Sequence, residues 1–284
     1  MMKFLLPAAL LVALTTARAQ DKPAYRIYTG EGKKVKYEKM LKDLQGADVL
    51  FFGELHNNAI SHWLELEVTK DLDENLDLVL GAEMLEADNQ DELDQYLSGE
   101  IDEDALDSLA RLWPNYKTDY KPLVDYAKEH QLTFVASNIP RRYANMVYKG
   151  GFEALDTLSA EEKSWMAPLP IDFDPDIKTY RDILKMMGDH GSPRLVMAQA
   201  IKDATMAHFI LANRKEGTLF IHYNGSYHSN EHEGILWHIR RKNADLVLKT
   251  ISTVSQDDID ELEEENLGKA DYIICVDGDM TNTY

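Results

Sequence analysis

The chain has 284 residues, a formal net charge of −20, 44% hydrophobic residues and a single cysteine, Cys275. So acidic a composition excludes nucleic acid as a partner, because phosphate binding needs a basic face; a cationic ligand, a metal ion or plain solubility suits it better. One cysteine excludes an internal disulfide, and its place in the apolar run YIICV predicts a buried strand residue.

Lys3, the apolar run Phe4–Leu14 and the small-residue pattern Ala17-Arg18-Ala19 predict a cleavable signal peptide over residues 1–19. The run is shorter than the roughly 20 residues a bilayer requires, and no later stretch reads as long and apolar enough to span one. No cysteine follows the cleavage point, so a lipid anchor lacks its attachment atom. A soluble periplasmic or secreted chain, residues 20–284, is therefore expected. Losing Lys3 and Arg18 and no acid takes its charge from −20 to −22.

Short β-rich apolar runs follow at Asp48–Phe52, Leu76–Leu80, Leu132–Ala136, Leu219–Tyr223, Leu246–Ile251 and Tyr272–Val276, each read as a largely buried strand. Helical spacing occupies Ala59–Asn75, Asn89–Leu97, Glu103–Leu112, Tyr120–Gln131, Arg142–Gly150, Pro175–Gly188, Arg194–Arg214 and Glu233–Lys242. The alternation predicts one α/β domain with a mostly parallel central sheet and helices on both faces. A large helical insertion, roughly residues 86–215, forms a cap over it. Pro168–Pro175 breaks the pattern as a connector. The acidic run Asp257–Glu265, with Ile259 and Leu262 three apart, reads as a short solvated helix.

In open α/β sheets ligands bind beyond the carboxyl ends of the strands. There the sequence places Gly53-Glu54-Leu55-His56, Gly81-Ala82-Glu83, Ser137-Asn138 with Arg141 and Arg142, and Asn224-Gly225-Ser226-Tyr227-His228. Two carboxylates and two imidazoles, Glu54, His56, Glu83 and His228, make a donor set for a divalent transition ion such as Zn²⁺, Mn²⁺ or Fe²⁺. Water on that ion would be a nucleophile near neutral pH, so the four are also the candidate catalytic residues. Gly53, Gly81 and Gly225 are expected where the chain turns off a strand and a ligand nears the backbone. His62, His190, His208 and His238 lack such company and read as surface or packing residues. His228-Ser229-Asn230-Glu231-His232 matches H-x-x-E-H, but that chemistry needs both histidines on one helix, and a strand and glycine turn precede His228.

The stretch VLFFGELHNNAISHWLELEVTKDL, the strand end GAEML, the segment LTFVASNIPRRYANMVYKGG, the helix MAQAIKDATMA and the turn NGSYH together resemble the ChaN-like family of haem-binding uptake proteins. The resemblance runs from about Val49 to His228, in the family's motif order. Its wider superfamily includes the Tiki metalloproteases and the erythromycin esterases. It implies a periplasmic haem- or iron-binding protein of iron or haem acquisition, with haem held in a homodimer by tyrosine. Tyr116, Tyr120, Tyr143, Tyr180 and Tyr227 are the candidate ligands by position. The Tiki branch implies instead a metal-dependent hydrolase of peptides or esters, its G-x-x-H motifs and glutamates falling on Gly53–His56, Glu83 and Gly225–His228. Gln199, Asp203 and Met206, on one helix face, look like the family's pocket-facing helix. With Asn138, Arg141 and Tyr227 they form the expected binding set. A scaffold holding neither haem nor metal is the third alternative.

Overall fold

Unbroken apolar runs, rather than alternating ones, are what a sheet covered on both faces requires. The structure, a computed structural model, describes residues 22–188 and 191–284; the signal-peptide reading of residues 1–19 and His190 lie outside the described residues. The strands are β1 (Tyr25–Thr29), β2 (Val49–Glu54), β3 (Leu78–Glu86), β4 (Thr133–Asn138), β5 (Leu219–Gly225), β6 (Leu248–Gln256) and β7 (Tyr272–Asp277). They form a seven-stranded sheet in the order β1-β7-β6-β2-β5-β3-β4. Every pairing is parallel except that of β1 with β7.

The helices are α1 (Tyr37–Leu44), α2 (Ala59–Asp73), α3 (Gln90–Ser98), α4 (Glu103–Leu109), α5 (Lys121–His130), α6 (Arg141–Gly150), α7 (Ala160–Ser164), α8 (Lys178–Met187), α9 (Pro193–Asn213) and α10 (Ile235–Lys242). Successive side chains of a strand point to opposite faces, and β2 shows the consequence. Phe52 packs with Leu64 and Val68 of α2. Phe51 packs with Met206 and Ile210 of α9 and Ile239 of α10. Helices α1 to α5 cover the first face, while α9 and α10 cover the second. Helix α6 packs on α9 through Val147, Ile201 and Ala198. Each fully buried Phe or Leu contributes roughly 1.5–3 kcal/mol.

Several expectations need correction. Strands β2 to β5 run on through the residues expected in loops, so Glu54, Glu83 and Asn138 are strand residues. Gly53 is paired to Asn224 and Ser252 within the sheet, and Gly81 lies in mid-β3, where a Cβ would come within 2.8 Å of the Phe220 ring. Neither marks a turn; both permit close packing. The acidic run forms no solvated helix. The Gln256 side chain bonds backbone groups of Glu261 (2.7 Å) and Glu263 (3.2 Å), holding a folded-back loop that buries Ile259 and Leu262. Helix α9 is long and apolar enough to cross a membrane, against the sequence reading, yet more than half of its apolar stretch is buried in the protein, as befits a core helix. Strand β1 and helices α1 and α7 had no counterpart in the sequence reading.

Candidate functional site

The register of the sheet sets Glu54 of β2 beside Gly225 of β5. Strand β3 runs along the other edge of β5, with Ala82 opposite Tyr223, so Glu83 reaches the same place from the opposite side. Gly225 N–H donates to Glu83 Oε2 at 2.8 Å. A Cβ at Gly225 would lie 2.9 Å from His56 Nε2 and 3.4 Å from Glu83 Oε2. Only glycine lets these two side chains close over the strand end.

The four strand-end residues are brought together, but as two couples rather than one ligand shell. In the first, His56 Nδ1 lies 2.6 Å from Glu54 Oε1, and the Tyr120 hydroxyl donates to that oxygen at 2.8 Å. In the second, His228 Nε2 faces Glu83 Oε1 at 3.1 Å and its Nδ1 bonds Asp203 Oδ1. Asp203 also accepts from the Tyr180 hydroxyl at 2.7 Å, and Gln199 Nε2 lies 3.0 Å from His228 Nε2. Carboxylates face both ring nitrogens of His228, so the expected four-ligand set stands here as two carboxylate–imidazole couples.

The couples differ in charge. Burial and the nearby Glu65 push the Glu54 carboxyl up to about 8. Burial also pushes Glu83 up, but the charge and hydrogen bond of His228 outweigh it and hold that carboxyl well below the usual range. Burial lowers His228, yet Glu83 and Asp203 overcome this and raise it to about 9. His56 is likewise lowered by burial and raised on balance by Glu54 and Glu83.

Above this floor lies a cleft of about 340 Å³. One wall is Arg141, Ala144, Asn145 and Tyr148, spaced 3, 4 and 7 residues along α6. The facing wall is Leu195, Ala198, Gln199 and Lys202 with the same spacing on α9. Trp113 closes one side, and His56, Glu83 and Asn138 form the floor. Asn138 Nδ2 donates to the Glu83 carbonyl at 2.9 Å, and its Oδ1 is buried without a partner.

Of the expected binding set, Asn138, Arg141 and Gln199 line the cleft, and Asp203 reaches it only through His228. Met206 is instead fully buried against the sheet, because one further turn of α9 carries it past the strand ends. Tyr227 points elsewhere, exposed, with its hydroxyl 3.4 Å from Met186 Sδ. Tyr116, Tyr120, Tyr143 and Tyr180 are all buried. His228 to His232 form successive 3₁₀ turns, with Glu231 and His232 at positive φ, so no zinc-peptidase helix exists there. His62 is neither a surface nor a simple packing residue. It lies 3.4 Å from Glu54 Oε2, 3.1 Å from Glu65 Oε2 and 3.6 Å from Asp119 Oδ2.

Sequence reasoning missed His62, Glu65, Trp113, Tyr148 and Lys202, and it offered Tyr120 as a haem ligand where the structure has it bonded to Glu54. The i, i+3 and i, i+4 spacing from Arg141 to Tyr148 and from Gln199 to Lys202 was the available signal. His222 was also missed; burial lowers it to about 4, and it bridges Ser137 Oγ (2.8 Å) and Asn224 Oδ1 (3.0 Å) under the floor.

A family described as haem-binding uptake, Tiki superfamily, ChaN matches residues 40–239. The solved structure of ChaN from Campylobacter jejuni, described with cofacial haem binding, superposes with a TM-score of 0.68 at 19% identity, covering 89% of this chain and 97% of that one. A solved Bacillus cereus protein gives a TM-score of 0.51 at 12% identity, covering 84% and 90%. At these identities the likeness is one of fold. Among curated proteins, Protein RETICULATA-RELATED 5, chloroplastic, of Arabidopsis thaliana is 26% identical over 147 residues, 49% of this chain. The match spans about a fifth of that protein's length.

Proposed function

Since the chain belongs to the ChaN family of haem-binding uptake proteins in the Tiki superfamily, we propose that it takes haem into the cleft between α6 and α9. Its role would be that of an exported, periplasmic or secreted protein of haem or iron acquisition. The observation that carries this reading is Tyr148, the one tyrosine lining the cleft, with 44% of its surface exposed. A tyrosine phenolate is an established axial ligand of haem iron. The five tyrosines expected by position do not line this cleft.

The residues present fit haem. Tyr148 offers the ligand atom, and Arg141 and Lys202 offer cations for the two propionates. Ile139, Leu195 and the Trp113 ring offer apolar wall. A volume of about 340 Å³ is near the low end of the roughly 300–1,000 Å³ of ligand pockets. Part of the macrocycle is then left outside, where a second copy of the chain would cover it. Bound haem supplies an iron centre; the chain's own residues bind, orient and partly desolvate it. Titration with haem tests this: a saturable Soret shift is expected, with at least tenfold weaker binding in Tyr148→Phe. No shift, or an identical one in the variant, overturns it.

A second reading, a metal-dependent hydrolase of esters or amides, is favoured by one observation. His56 Nε2 and Glu83 Oε2 flank Gly225 at the open floor of the cleft. These two side chains fit an ion there, with Glu54 and His228 holding them in place rather than completing the shell. An ion so placed would supply a water of lowered pKa. Chelator-sensitive hydrolysis of p-nitrophenyl esters or peptides, lost in His56→Gln, is the expected result; no such hydrolysis with added Zn²⁺ or Mn²⁺ rules this reading out.

A further inference from the structure

We propose that Glu54, His62 and Glu65 form a buried site for a divalent first-row transition ion, on the α2 side of the cleft floor. The inference does not depend on either reading of the cleft, and its ligand set is not the strand-end quartet.

The N-terminal half of α2 brings the ligands together. The Asn58 side chain caps the helix by accepting from Ile60 N and Ser61 N, which directs the next turn at the end of β2. His62 and Glu65, three apart, then share one helix face and meet Glu54. Each of the three offers a donor atom within 4.8 Å of the others. His62 Nδ1 lies 3.1 Å from Glu65 Oε2 and 3.4 Å from Glu54 Oε2. Such spacing suits a common ion at roughly 2.0–2.2 Å from nitrogen and oxygen ligands.

The chemistry of the donors points to a cation. His62 Nε2 lies 3.1 Å from the His56 carbonyl oxygen, which can only accept, so that nitrogen carries the proton. In the neutral ring Nδ1 is then a lone pair, aimed at two carboxylates. With both carboxyls ionised, as an ion would hold them, the cluster is three acceptors with no donor among them. Glu54 Oε2 and Glu65 Oε1 are buried without any hydrogen-bond partner, an uncommon condition for buried polar atoms. Metal-bound histidines ordinarily give their other N–H to a carbonyl or carboxylate, and this ring has both. Behind the His56 carbonyl stands Asp119 Oδ2, 3.6 Å from Nε2 and itself held by Asn115 Nδ2 at 2.7 Å and Thr283 Oγ1 at 2.9 Å. The Tyr120 ring, edge-on to His62 at 5.1 Å, closes the site. One imidazole with two carboxylates favours Zn²⁺, Mn²⁺ or Fe²⁺. The ion would fix Glu54, and through it the orientation of His56.

The test uses the full chain, stripped with chelator, incubated separately with Zn²⁺ and Mn²⁺, desalted and assayed for metal. About one ion per chain is expected for a closed site of this kind. Glu65→Gln and His62→Gln should each retain at least tenfold less, and Glu67→Gln, a part-exposed carboxylate of the same helix paired with Lys70, as much as the parent. Crystals of the Zn²⁺-loaded parent, measured at the zinc absorption edge, give a readout that does not need the variants to fold. An anomalous peak between His62 Nδ1 and the two carboxylates is expected. No retained metal in the parent, equal retention in both variants, or a peak only at Glu83 and His228 overturns the proposal.

Discussion

Glu54 and Glu83 are the same residue type, on strands that flank β5, with only 1% and 3% of their surface exposed, yet their charges are set in opposite directions. Glu83 faces a histidine clamped by a second carboxylate, and it stays ionised. Glu54 shares its surroundings with another buried glutamate, and its carboxyl is pushed up to about 8. Burial alone therefore does not decide the ionisation of a strand-end carboxylate. Its partners do, and the sheet supplies different partners on either side of Gly225.

The comparison breaks most visibly at His228. His228→Ala leaves Glu83 and Asp203 buried without the countercharge they share, and urea unfolding at pH 7 should show a loss of about 3–5 kcal/mol. A loss below about 1 kcal/mol would mean that the couple is not a buried ion pair. The pH dependence carries the same information. His228 is raised from 6.5 to about 9, so its stabilisation is full below pH 6.5 and lost as the pH rises through 9. The variant's stability curve should lack that fall.

Gly225→Ala tests the approach of the two couples, since the new Cβ would sit 2.7 Å from the His56 ring. Overpacking of this kind costs about 1–3 kcal/mol, and the His56 ring should shift in NMR titration. A variant as stable as the parent, with an unchanged His56 signal, would show that the ring is free to move. Glu54→Gln, in chelator, should be within about 1 kcal/mol of the parent near pH 4.5 and more stable than it at pH 7. The parent carboxyl is raised from 4.5 to about 8, so its contribution is present below pH 4.5 and lost as the pH climbs to 8. The variant should therefore lose less stability across that range, and an identical pH slope would contradict the assignment. Smallest is Tyr148→Phe, expected within about 0.5 kcal/mol of the parent in stability because the ring is half exposed. A large destabilisation would give Tyr148 a structural role instead of a ligand's.

Much of this was legible in the sequence because strand-end position is a one-dimensional property. The apolar runs located β2 to β7, and the residues after them included Glu54, His56, Glu83 and His228. The pairing of those four was not legible, since it depends on β5 lying between β2 and β3, an order that chain sequence does not reveal. His62 and Glu65 stayed hidden inside an amphipathic pattern that reads equally as helix surface. The sheet's antiparallel edge was missed because Tyr25–Thr29 is short and half polar, and becomes a strand only by pairing with β7. Tyr148 escaped notice because exposed tyrosines are ordinary until a facing helix, here α9, turns one into a cleft wall.

The central claim is that the α6–α9 cleft is the binding site and Tyr148 its ligand. A crystal structure of the haem-loaded protein tests it most directly. The expected result is iron bonded to the Tyr148 phenolate oxygen with propionates at Arg141 and Lys202; haem held elsewhere, or in the cleft with Tyr148 unligated, would contradict the claim.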